Sequence, residues 1–137
     1  MKKIVILLFL AFLVLPSYAA SWVDIGGDEF IDTSSVSPYE GDINSDVKYL
    51  FSIKALNNRS ANFLYLERSY KKEIKYQTTD YVLNCSTMKI ATKESKAYDK
   101  QDNMVHQYSA PYLQFTDVIA DTKTGKYFSY ICTNKAE

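Results

Sequence analysis

The chain has 137 residues and a mass of 15.7 kDa, enough for one ordinary domain, which excludes a large multidomain enzyme. Sixteen basic residues balance sixteen acidic ones, and without the first nineteen residues, which hold Lys2, Lys3 and no acid, the net charge is −2; this excludes a broad basic footprint for nucleic acid. Of twenty aromatic residues, seventeen lie beyond residue 19, a core-building content that excludes disorder.

The chain opens with Met1, Lys2 and Lys3, continues through twelve uninterrupted apolar residues at 4–15, and is broken by Pro16 before Ser17 and Ala19. This is the layout of a secretory signal peptide, with small side chains placed for a cut after Ala19. Twelve residues at about 1.5 Å each reach roughly 18 Å, short of the roughly 30 Å of a bilayer's hydrocarbon layer. The reading is therefore a signal at 1–19 and a single mature domain at 20–137, periplasmic or secreted. No cysteine lies in or just after the segment to carry a lipid. A soluble mature protein without a membrane span is expected.

Residues 21–25 alternate as a short strand, and Gly26, Gly27 and Asp28 supply a turn. Residues 29–32 form a second extended piece, followed by turn chemistry from Ser37 through Asp42. The clearest strand runs over 46–55, because Val47, Tyr49, Phe51, Ile53 and Ala55 share one parity against Lys48, Ser52 and Lys54. The apolar run 63–66 is too short to separate strand from helical turn. Residues 70–85 alternate as one long strand whose parity shifts near Thr79 and Asp80, which predicts a bulge there. Extended character resumes over 88–92 and 95–99, the polar cluster 99–103 predicts a hairpin turn, and the returning arm 105–108 stops at Pro111. Near the end, Tyr127 with Ile131 and Phe128 with Cys132 share one face of a helix, which Thr122 or Thr124 is placed to cap. The fold class is α+β: a mostly antiparallel sheet of about five to six strands with a C-terminal helix packed on it.

Cys85 and Cys132 are the two cysteines. In an exported chain an even count favours a structural disulfide. A redox pair and a metal site are the competing readings, but there is no CxxC motif and His106 is the only histidine.

Chemistry-bearing motifs are sparse. His106 is the only imidazole for a nucleophile system, and a solvent-facing strand histidine is its simpler reading. Asp24, Asp28, Glu29 and Asp32 crowd the N-terminal turn, which keeps a small carboxylate-pair hydrolase as an alternative, against plain turn chemistry. No phosphate-cradling glycine pattern is present and no cofactor is indicated. Arg68, Lys71, Lys72 and Lys75 are the strongest cationic run, fit either for an acidic partner or polyanion or for the charged rim of an edge strand. Tyr98 and Tyr108 fall near turns where a ring can meet a protein partner.

The mature chain resembles the surface-adhesin protein E family of small exported Gram-negative domains. The resemblance is carried by residues 22–26 (WVDIG), by Phe30, Ile31 and Asp32 before the turn at Ser34, Ser35 and Val36, by the 47–55 strand, by Asn84 before Cys85, and by Tyr130 and Ile131 before Cys132. It implies a mostly antiparallel sheet with a helical end and pairing of Cys85 with Cys132; Asn84 stands where the family usually has aspartate. It also implies a non-enzymatic, adhesin-like module that contacts a host extracellular or bacterial envelope protein, with an accessory or inhibitor-like role in the periplasm as the alternative.

Overall fold

The computed structural model describes residues 20–40 and 46–133. The expected signal segment and part of the turn after Ser37 lie outside the described residues. Among the described residues, eight strands form one antiparallel sheet: β1 (Trp22–Gly26), β2 (Glu29–Asp32), β3 (Ser37–Pro38), β4 (Lys48–Leu56), β5 (Ile74–Asn84), β6 (Lys89–Asp99), β7 (Met104–Ser109) and β8 (Thr116–Asp117). Six of them follow the order β1-β2-β4-β5-β6-β7, while the two-residue strands β3 and β8 pair β4 and β6. Helix α1 (Ala61–Tyr70) links β4 to β5, and α2 (Lys123–Phe128) runs into a π-helical turn at Ser129–Thr133. The α+β class holds, with more strands than expected.

The turn joining β1 to β2 takes three positive-φ residues in succession, Gly26 at 89°, Gly27 at 65° and Asp28 at 61°, which is why two glycines stand together there. In β4, Phe51 and Ile53 are buried as the parity predicts, but Val47 is exposed and lies outside the strand. Residues 63–66 belong to α1. Phe63 and Leu66, one turn apart, are its buried residues, and an i, i+3 pair is too short a pattern to read without its docking surface.

Helix α1 extends to Tyr70, so β5 begins at Ile74, later than its alternation suggests. The expected bulge near Thr79 and Asp80 is on the neighbouring strand: Asp80 pairs Glu94 and Tyr81 pairs Thr92, which leaves Lys93 of β6 as the extra residue. The irregularity of β5 itself is at Lys75, between the pairs Ile74 with Asp99 and Tyr76 with Tyr98. The predicted 99–103 turn and the stop before Pro111 are both present.

Both helices pack on one face of the sheet. Under α2 lie Ile31, Phe51, Ile53, Leu83 and Ile90, joined by Tyr127 and Ile131. Under α1 lie Ile74 and Ala97, against Phe63 and Leu66. Cys85, just past β5, is bonded to Cys132 in the π-helical turn, with Cα atoms 5.7 Å apart and a sequence separation of 47. Restricting a loop of that size in the unfolded chain stabilises the fold by about 4 kcal/mol. Thr122 occupies the N-cap of α2 but makes no capping bond; its hydroxyl donates to the Ile119 carbonyl.

Candidate functional site

The cationic run does not rim an edge strand, because β5 lies inside the sheet between β4 and β6. Instead, α1 ends at Tyr70, Lys71 turns the chain through a left-handed conformation (φ 50°), and Lys72 and Lys75 follow. Lys71, Lys72 and Lys75 then line a cavity of about 670 Å³ with Arg59 and Lys100. Arg68 is exposed on α1 and does not line it. Lys75 pairs with Asp102 at 3.7 Å and Lys100 with Glu73 at 2.9 Å. Lys71 and Lys72 sit at the carbonyl end of α1, where positive charge complements the helix dipole.

Tyr98 and Tyr108 face opposite sides of the sheet. Tyr108 pairs with Ser95, whose parity places it on the helix side, whereas Tyr98 pairs with Tyr76 on the other side. The two rings therefore cannot serve one flat contact. On the helix-free face Tyr98 stacks on Tyr76 (centroids 4.9 Å, planes 21° apart). The Lys54 ammonium lies over Tyr76 at 4.5 Å and over Trp22 at 5.7 Å. Trp22, Lys54, Tyr76 and Tyr98 thus form a band across β1, β4, β5 and β6, every member half-buried. Burial and the Asp102 carboxylate raise the Tyr76 pKa. No local motif singles out Trp22, Lys54 or Tyr76 in the sequence, apart from the wet parity of β4, which carries Lys54 opposite the core residues.

The four acidic residues of the N-terminal turn do not converge. Glu29 shares its parity with buried Ile31 and faces the helices, while Asp32 faces the other way. Asp32 accepts bonds from the Ser21 and Ser34 backbone N–H groups at 2.9 and 3.0 Å. Asp24 accepts from Gly26 N at 2.8 Å, and Asp28 is exposed in the turn. With the acids spent on turns and on opposite faces, a carboxylate pair across a cleft is not formed.

Glu29 instead accepts a hydrogen bond from the Tyr127 hydroxyl and pairs with Lys126 at 3.6 Å. The Tyr81 ring lies tilted against that of Tyr127, with centroids 5.5 Å and planes 42° apart. Burial, then the charge of Glu29, pushes the Tyr81 pKa up to about 12. Burial, Tyr81 and Glu29 raise that of Tyr127 further. His106 is half-buried and its Nδ1 meets the Tyr70 hydroxyl at 2.6 Å, so its partner is a helix side chain.

No family model matches the chain, and no curated protein matches it. Solved structures do. The crystal structure of protein E from non-typeable Haemophilus influenzae superposes with a TM-score of 0.58 at 15% identity, covering 89% of this chain and 82% of that one. A second structure of Haemophilus influenzae protein E gives 0.55 at 16% identity, covering 89% and 92%, and its crystal form II gives 0.56 at 15%, covering 80% and 84%. The chain therefore has the fold of Haemophilus influenzae protein E, the fold that the resemblance in its sequence implies.

Proposed function

We propose that the chain is an exported, non-enzymatic protein-binding module, cut after Ala19, that contacts a host or envelope protein through the helix-free face of its sheet. The observation that carries this reading is the segregation of both helices to one face, which leaves the band of Trp22, Lys54, Tyr76 and Tyr98 on the other. Tyrosine, tryptophan and cation–π pairs are the residues that anchor protein interfaces, and stacking holds these rings in place before a partner arrives, which lowers the ordering cost of binding. The shared fold and the adhesin-like sequence resemblance support the same reading. A disulfide fits an oxidising compartment, and among the described residues no helix is long and apolar enough to cross a membrane.

The test is to express the full chain in a Gram-negative host, fractionate the cells, and identify what cross-links to the mature domain. The reading predicts export and a captured protein that is lost on Tyr98→Ala and retained on Tyr108→Ala. Equal capture by both variants would contradict it. Recovery with an envelope protein rather than a host matrix protein would select the periplasmic accessory role.

A further inference from the structure

A second feature lies at the end of α1: a cavity that adjoins the helix-free face at Lys75, whose ammonium is 6.0 Å from the centroid of the Tyr76 ring. Its lining is almost wholly polar. Arg59, Lys71, Lys72, Lys75 and Lys100 surround it, and the one apolar residue that lines it, Ile74, is 1% exposed.

The floor is built rather than loose. The Asn57 side-chain amide donates to Glu67 Oε1 at 2.6 Å and to the Ile74 carbonyl at 2.7 Å, and the Asn57 N–H donates to the Lys75 carbonyl at 3.0 Å. The Asn57 side-chain oxygen in turn accepts from the Arg59 N–H at 2.8 Å, fixing Arg59 at a positive φ of 61°. Glu67 is thereby committed to the floor. Among the described residues, Arg59, Lys71 and Lys72 have no carboxylate at ion-pair distance. The two lysines that are paired, Lys75 and Lys100, make solvent-exposed pairs with side chains 51% and 62% accessible. Such pairs contribute little and yield readily to a stronger anion.

We propose that this cavity binds a hydrophilic molecule carrying several sulfate or phosphate groups. Five cations outnumber the two carboxylates that line the cavity, Glu67 and Glu73, and lysine ammoniums act as adaptable point charges for such oxyanions. An acidic protein epitope fits less well, because protein contacts are anchored by aromatic or aliphatic side chains, and the cavity offers none.

The experiment is a calorimetric titration of the mature domain with a heparin-derived octasaccharide and, separately, with inositol hexakisphosphate, at low and at physiological salt. Binding of either probe is expected, weakening steeply with salt. Lys72→Glu should weaken it more than tenfold. Lys89→Glu, the same charge change at the opposite end of β6, should alter it less than threefold. Preference for the octasaccharide identifies the anion as a sulfate ester, and preference for inositol hexakisphosphate as a phosphate. Equal losses for Lys72→Glu and Lys89→Glu, no binding of either probe at low salt, or tighter binding of an oligoglutamate peptide than of both, would overturn the proposal. Lys72 is exposed, so an unchanged thermal midpoint will show that the variant is folded.

Discussion

The hydroxyl of Tyr127 donates to the carboxylate of Glu29, a residue 98 positions earlier in the chain. The bond joins the C-terminal helix to the second strand beneath it, and Tyr127 is 0% exposed. Removing the hydroxyl leaves a partly buried carboxylate short of a donor, with Lys126 remaining as an ion-pair partner. Tyr127→Phe should therefore destabilise the domain by about 1–3 kcal/mol in urea unfolding. A change below about 0.5 kcal/mol would mean that water replaces the bond.

Beside Tyr127, whose pKa is raised further, the alkaline pH dependence of stability follows from Tyr81. Its pKa is raised to about 12 in the fold, against about 10 in the unfolded chain. The folded state thus holds a proton that the unfolded state loses. The neutral phenol's contribution is complete below about pH 10 and is lost as pH rises toward 12, at up to about 1.4 kcal/mol per pH unit. Tyr81→Phe should flatten that decline in urea midpoints measured from pH 9 to 12, and an unchanged slope would assign the alkaline loss elsewhere.

Reduction of the Cys85–Cys132 bond should lower stability by about 4 kcal/mol, the loop-entropy value for a separation of 47. For a domain of this size that is a large share of the total. The Cys85→Ala, Cys132→Ala double variant should unfold well below the oxidised protein in calorimetry. Equal midpoints would show that the helix stays docked through Tyr127 and Ile131 alone.

The band on the helix-free face predicts an asymmetry between lysine and aromatic changes. Lys54→Met removes the cation shared by Trp22 and Tyr76 while keeping the stem that covers them. It should weaken partner binding several-fold in surface plasmon resonance and shift stability by less than about 1 kcal/mol. Tyr76→Ala should abolish binding by removing the stacked ring on which Tyr98 rests. Unaltered affinity in both variants would remove the band from the interface.

The strands were legible where alternation is uninterrupted. Phe51 and Ile53 announce the buried face of β4, and the paired glycines announce the first turn. Two features resisted reading. Helix α1 shows its apolar side through Phe63 and Leu66 alone, and these make sense only against Ile74 and Ala97, which are distant in sequence. The extra residues of the β5–β6 ladder, Lys75 and Lys93, are exposed lysines with no local mark of a bulge. For the candidate site, the sequence placed Lys71, Lys72 and Lys75 together but not Arg59 and Lys100, which the topology delivers from a loop and a hairpin. Tyr98 and Tyr108 looked alike near turns until register set them on opposite faces.

Site-specific photocross-linking reads out whether a partner meets the helix-free face. A benzoylphenylalanine placed at Thr78, which pairs with Lys54 and Lys96 in the middle of that face, should form a defined protein adduct in cells expressing the full chain. The same group at Tyr65, 68% exposed on α1, should not. An adduct at Tyr65 with none at Thr78 would contradict the account and move the interface to the helices.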